Sequence, residues 1–241
     1  MKKIVFILFI AFIGFNGPIN AQSKLYATSG GEMIFSFASI HNDDGSSSDN
    51  IIRWTPFFNI QVLGNYDFSK NAGLIFGASI RNIGYIDDNP DPDNSGVKKK
   101  YRSYDFGIPV GIKVGNLDKF FFYGGYEIEF PFHYKEKTFI DGNKQDNKIT
   151  DWFSKRTPAL YHTAFVGIQF PYGLNLKVKY YFSNFFNQDF SQTVDGVNTK
   201  PYEGKTANII YFSLSFNLFK NYSVDYHDMD KATGKSDKSI Y

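Results

Sequence analysis

A chain of 241 residues with 42% hydrophobic, 19% aromatic and 21% charged residues suits one β-rich domain and is too apolar to remain disordered. Cysteine is absent, which removes disulfide frameworks, thiolate metal sites, cysteine nucleophiles and cysteine-borne lipid anchors. The 27 Phe and 17 Tyr are a heavy load for a soluble domain and call for an apolar surround.

The chain opens with Lys2 and Lys3, followed by an almost unbroken apolar run from Ile4 to Phe15. Gly17-Pro18 ends the run, and Ile19-Asn20-Ala21 supplies a small residue at a cut. This layout predicts a secretory signal peptide over residues 1–21, because the run is too short to span a bilayer. Cleavage after Ala21 would remove two basic residues from a formal charge of +2 and leave a neutral chain. A neutral chain gives no electrostatic reason to bind nucleic acid.

From Met33 to Phe219 apolar residues alternate with small or polar ones. Tyr104, Phe106, Ile108, Val110, Ile112 and Val114 interleave with Asp105, Gly107, Pro109, Gly111 and Lys113. That is the period of a strand. Eight strands are expected, near 31–40, 51–66, 72–86, 103–115, 119–135, 158–170, 174–187 and 207–219. Most are ten residues or longer, the length a tilted strand needs to cross a membrane. Connections after the second, fourth and sixth strands are short, whereas those after the first, third, fifth and seventh are long and polar. The alternation matches an outer-membrane barrel with periplasmic turns and external loops.

The face opposite the apolar one carries Glu32, Arg53, Arg81, Lys113, Glu127, Glu129, Lys177 and Lys179 among Gly, Ser, Asn and Gln. A soluble core could not hold eight charges, but a polar lumen can if they pair or meet water. The apolar face must then look at lipid. Trp54, Tyr104, Tyr134 and Phe182 towards the loops, and Phe120, Phe122, Phe170 and Tyr172 towards the turns, suit interfacial girdles. The expected fold is all-β, an eight-stranded antiparallel transmembrane up-and-down barrel. It spans 22–220 in the cell outer membrane, with a polar periplasmic tail over 221–241.

Four stretches carry a resemblance: Gly30-Gly31-Glu32-Met33-Ile34-Phe35-Ser36-Phe37, Tyr101-Arg102-Ser103-Tyr104-Asp105-Phe106-Gly107-Ile108-Pro109, Trp152-Phe153-Ser154-Lys155-Arg156, and Gly167-Ile168-Gln169-Phe170-Pro171. With the signal peptide and the aromatic-rich last strand, they resemble the small outer-membrane β-barrel proteins of the Bacteroidota, broadly the PorT type. The resemblance implies an architecture across the mature chain, and some relatives are accessory parts of secretion or assembly machines.

Several constellations could carry chemistry. Glu127 and Glu129 lie two apart on the fifth strand, Lys177 and Lys179 two apart on the seventh, and Lys113 and Arg81 can join them. An ion path is one reading; a salt-bridge network filling the bore is the favoured one, because eight strands leave little more than side-chain space. The loop Asp87–Gly96 matches half of a calcium loop through Asp91, Asp93, Ser95 and Gly96, yet Arg102 stands where the closing Glu belongs. Neighbouring Lys98, Lys99, Lys100 and Arg102 balance its acids. Among the histidines, His133 is expected inward and His162 outward, with Ala164 where a lipid-A deacylase would place its serine. His41 and His227 have no triad partner in view. Pro56, Pro109 and Pro131 each delete a ladder hydrogen bond and imply bulges. The expectation is a non-enzymatic barrel without cofactor or metal, an accessory subunit contacting outer-membrane lipid and a larger envelope complex. A narrow channel and a lipid-modifying enzyme are the alternatives.

Overall fold

The computed structural model describes residues 24–42, 47–88, 90, 96–194 and 196–219. The expected signal peptide, the expected tail and most of the acidic loop (89 and 91–95) lie outside the described residues.

Eight long strands form the wall: β1 (Lys24–His41), β2, β3 (Ala72–Asp88), β4 (Val97–Asn116), β5 (Phe120–Ile140), β6 (Tyr161–Gln169), β7 (Leu174–Tyr181) and β8 (Thr206–Phe219). β2 comes in three pieces, Asp49–Ile51, Arg53–Thr55 and Ile60–Asp67. Each strand pairs antiparallel with its neighbours in sequence, β8 pairs with β1, and the ring closes. Closure leaves no open sheet edge, which is the condition for placing a sheet in lipid.

Walking the paired residues from Phe35 through Phe212, Val178, Val166, Gly124, Ile112, Leu74 and Tyr66 returns to Leu25, ten positions along β1. That stagger over eight strands tilts them by ~40° to the barrel axis, given the usual rise and spacing. The ten steps of β4 from Tyr104 to Val114 then rise ~25 Å, the height of an outer-membrane apolar band.

The faces are reversed relative to a soluble protein. Outward Val110, Ile112 and Val166 are 57%, 58% and 64% exposed, whereas inward Arg81, Lys179 and Glu129 are at most 1% exposed. Water could not be the solvent of this outer wall; a bilayer can.

Each proline marks a departure from regular pairing. At Pro56, β2 breaks, and Phe57 and Phe58 turn outward. Asn59 patches the gap, its Nδ2 donating to the carbonyls of Thr55 (2.9 Å) and Glu32 (3.2 Å) while its Oδ1 accepts from Asn82 N (2.8 Å). Beside Pro109, bridges to β3 are missing but the register holds on both sides. At Pro131, the partners of β4 shift from Tyr104–His133 to Asp105–Pro131. This bulge flips the upper part of β5. His133, expected inward, therefore faces outward, and Tyr134, expected in a girdle, is buried inside.

β7 also ends earlier than its period suggests. It stops at Tyr181; Phe182 stays exposed, and Phe185 and Phe186 turn inward at the barrel mouth. Above the wall, Asn143–Lys144 and Ile149–Trp152 pair with the top of β5, and Gln192–Val194 with Val197–Thr199 forms a small hairpin.

Candidate functional site: a layered lumen

The middle layer is an ion cluster built by strand alternation. Glu32 enters from β1, Arg81 from β3, Glu127 and Glu129 from β5, and Lys177 and Lys179 from β7. Arg81 is the hub: it pairs with Glu32 at 3.0 Å, with Glu129 at 3.2 Å and closely with Glu127. Lys179 pairs with Glu127 at 2.7 Å and with Glu129, while Lys177 pairs with Glu32. Three cations thus face three carboxylates. Hydroxyls take the remaining lone pairs, Ser79 donating to Glu127 at 2.6 Å and Tyr181 to Glu129 at 2.6 Å. Paired and hydrogen-bonded in this way, the charges can be buried without the cost of isolated ions.

Gly107 makes room for the cluster. A Cβ there would collide with Glu127 Oε1 and Ser79 Oγ.

Two of the eight expected lumen charges sit apart from the cluster. Lys113 lies in a separate site towards the turns, with Asp67 at 2.5 Å, Asn65 Oδ1 at 3.0 Å and the Tyr26 hydroxyl at 3.1 Å. Arg53 lies on the inward phase of its strand, opposite buried Ser36. It falls in the broken stretch of β2, where its guanidinium donates to the carbonyl (3.1 Å) and side chain of Asn82 and stays apart from the cluster's carboxylates.

Sequence reasoning missed four acids that the structure buries. Asp67 was part of a turn in that reading, but it ends β2 and faces Lys113. Asp105 shares the inward phase of Lys113 on β4, a signal that was available; Ser103 donates to its Oδ1. Asp87 pairs with Lys205 at 2.7 Å, and Glu136 reaches the inner face because of the bulge at Pro131.

Above the cluster sits an aromatic plug. Tyr85, Tyr101, Tyr134, Tyr161, Tyr181 and Tyr211 project inward from the wall, and Phe185, Phe186 and Tyr202 come down from the connection between β7 and β8. Phe186 stacks on Tyr202 with centroids 4.3 Å apart, and Phe185 stacks on Tyr161 at 6.1 Å. The connection is tied down by its backbone: Phe185 N donates to Ala207 O at 2.9 Å, and Tyr161 donates to Phe185 O at 2.8 Å. Below the cluster, a cavity of about 350 Å³ is lined by Tyr26, Lys113, Phe121, Tyr123 and Tyr172 and reaches Arg81, Glu127 and Lys177.

The histidines do not assemble a catalytic group among the described residues. His133 lies edge-on to Trp152 with centroids 4.6 Å apart, His162 Nδ1 meets the Tyr126 hydroxyl on the outer wall, and exposed His41 meets Ser39 Oγ at 3.2 Å. His227 lies outside the described residues. No group of three or more His, Cys, Asp or Glu that could hold a metal occurs among the described residues. The calcium reading rests on Asp91, Asp93 and Ser95, which lie outside them.

The sequence matches no protein-family model and no curated relative. By structure the chain is similar to the outer membrane protein OprG from Pseudomonas aeruginosa, at 12% identity and a TM-score of 0.36, over 82% of this chain and 98% of that one. It is similar to Ail, the attachment invasion locus protein of Yersinia pestis, at 10% identity and a TM-score of 0.33, over 80% and 96%. A third likeness is to Neisserial surface protein A, at 8% identity and a TM-score of 0.34, over 80% and 97%. The assignment of this chain rests on its own closed ring and reversed faces. An eight-stranded antiparallel barrel with an apolar band, short turns at one end and long connections at the other is an outer-membrane architecture, and the chain belongs in the cell outer membrane.

Proposed function

We propose that this protein is a non-conducting, non-enzymatic barrel acting as a structural or accessory subunit of an envelope assembly for secretion or barrel assembly. The filled bore carries this reading. The ion cluster and the aromatic plug occupy the space a channel would leave open, with Arg81, Lys179, Tyr161 and Tyr211 each at most 1% exposed. What remains available to a partner is the outer wall and the ends. The resemblance to PorT-type barrels supports the same role.

The test pairs two measurements on the full-length protein. Reconstituted in a planar bilayer, it should give no discrete conductance steps. Extracted from its own membranes in mild detergent, it should migrate with a larger outer-membrane protein complex. Regular steps would establish the narrow channel instead. Altered lipid A on expression, lost in His162→Ala, would establish the enzyme.

A further inference from the structure

The bulge at Pro131 has a consequence on the outer wall. Above it, the residues of β5 that face outward are His133, Lys135 and Lys137, and the outward residues of β4 beside them are Tyr104, Arg102 and Lys100. The register sets like charges directly opposite each other: Arg102 faces Lys135 and Lys100 faces Lys137. Such cross-strand pairs repel. Lys148 immediately precedes Ile149, which pairs with Glu136, so it falls beside Lys137, and Lys144 pairs across from Phe139. Among the described residues, none of these six cations has a carboxylate within ion-pair distance. Their neighbours are aromatic: Lys100 lies 4.6 Å from the Phe139 ring centre and Arg102 lies 5.1 Å from that of Tyr104. Partial burial, then the charge of Arg102, then the surrounding lysines hold the Lys135 and Lys137 ammonium groups below their ordinary pKa.

Height fixes what this patch would meet. Descending β4 from the patch, the outward residues are Tyr104, Phe106, Ile108, Val110, Ile112 and Val114, an aromatic residue and then the apolar band. Trp152 and Phe153 stand exposed beside it, and Phe132 stacks on Trp152. Aromatic side chains settle at the headgroup boundary, so Arg102, two residues or ~7 Å along the strand from Tyr104, stands among headgroups. At that level the abundant counter-charge is lipid phosphate.

We propose that Lys100, Arg102, Lys135, Lys137, Lys144 and Lys148 form a binding site for the phosphate groups of a phosphorylated glycolipid of the outer leaflet, held flat against the wall of β4 and β5. The site rests on the outer-membrane orientation proposed above, with the long connections outside, and is independent of any partner complex. It supplies the missing counter-charge for a cluster that otherwise repels itself.

The experiment uses the full-length barrel in neutral detergent, with lipid A bearing two phosphates as the probe and native mass spectrometry as the readout. Wild type should retain the lipid, and the same lipid stripped of phosphate should be retained at least ~10-fold less. The variant Arg102→Gln/Lys135→Gln/Lys137→Gln should lose retention to a similar degree. Removing three lysines at the turn end instead (Lys24→Gln/Lys70→Gln/Lys119→Gln) should leave it intact. A second readout protects against misfolding: without lipid, the patch variant should unfold at the same or a higher temperature than wild type, because repulsion is relieved. Equal retention of the dephosphorylated lipid, or equal loss in the turn-end variant, overturns the proposal. Displacement of the lipid by millimolar inorganic phosphate would also overturn it, marking a site for free anions. None of these outcomes depends on conductance or co-purification.

Discussion

Two layers of the same bore are filled by opposite means. The middle layer uses six paired charges projecting from regular strands. The layer above uses nine aromatic rings, three of them supplied by a connection that folds back into the mouth. The first is held by electrostatics that fail if one partner is removed; the second by packing that fails in proportion to the volume lost. One barrel therefore contains a brittle layer and a graded one. The same geometry of alternate inward side chains supports both, and what differs is whether the inward residues can satisfy one another in pairs.

The brittle layer should respond most strongly at its hub. Arg81→Met leaves three carboxylates facing two lysines and should destabilise the barrel by ~3–5 kcal/mol. The measurement is the urea midpoint of the barrel folded into lipid vesicles. Replacing all six charged residues by uncharged ones of similar size should recover most of the loss, since no charge is then stranded. If the sixfold variant is as damaged as Arg81→Met, pairing is not what stabilises this layer.

The graded layer is tested at Phe185. This side chain is 1% exposed and sits among Tyr85, Tyr101, Tyr134 and Tyr161. Phe185→Ala should cost ~3 kcal/mol, and Phe185→Leu distinctly less, because the loss follows the volume removed. A flat response across the two substitutions would show that the connection does not pack in the mouth. An aromatic plug of this kind should also resist salt, so the Phe185→Ala effect should be unchanged in high-salt buffer.

These layers were not equally legible in the sequence. Strict alternation on the fifth and seventh strands places Glu127, Glu129, Lys177 and Lys179 inside, and period alone brings them to comparable heights. Their partners were less readable. Lys177 pairs with Glu32 over β8, which lies between β7 and β1, so closure of the ring brings the first and seventh strands together and no local pattern encodes that. Arg53 keeps the inward phase, opposite Ser36, but its partner is Asn82 rather than a carboxylate of the cluster. The plug was largely hidden. Phe182 to Asn187 continue a strand-like composition, yet Phe185 and Phe186 gain more by filling the bore than by extending β7, a tertiary choice that overrides local propensity. Likewise the prolines announced irregularity, but only the observed register tells that Pro131 flips the phase and Pro109 does not.

Back in the ion layer, Gly107→Ala offers a smaller and more selective perturbation. The added methyl would meet Glu127 Oε1 and Ser79 Oγ, and both are held by Arg81. Overpacking of this kind should cost ~1–3 kcal/mol. The second variant Gly107→Ala/Ser79→Gly, which frees space on one side, should recover part of it. Full tolerance of Gly107→Ala would show that the cluster has slack and that its close contacts are not required.

The smallest expected effect is also the sharpest test of the bulge. Tyr134 lies inside only because the chain gains a residue at Pro131; without that shift His133 would occupy the lumen and Tyr134 would face lipid. As observed, the Tyr134 hydroxyl donates to Glu136 Oε2 at 3.0 Å and meets the Tyr202 hydroxyl at 3.2 Å. Tyr134→Phe keeps the ring in the plug and removes that hydroxyl, so it should cost ~1 kcal/mol, below the usual worth of a hydrogen bond to a charged group because the acceptor keeps its other partners. Glu136 retains the Tyr202 hydroxyl at 3.3 Å and Lys99 at 3.6 Å, which is why the loss stays small. His133→Phe, on the outer aromatic belt beside Trp152, should be neutral or mildly favourable in vesicles, since it exchanges a polar ring for an apolar one at the lipid boundary. Urea midpoints of the two variants, measured side by side, separate the two phases. A larger loss in His133→Phe than in Tyr134→Phe would place His133 inside. The plug would then lose Tyr134, and the outward rows of β4 and β5 would lose the opposed cations that the bulge creates.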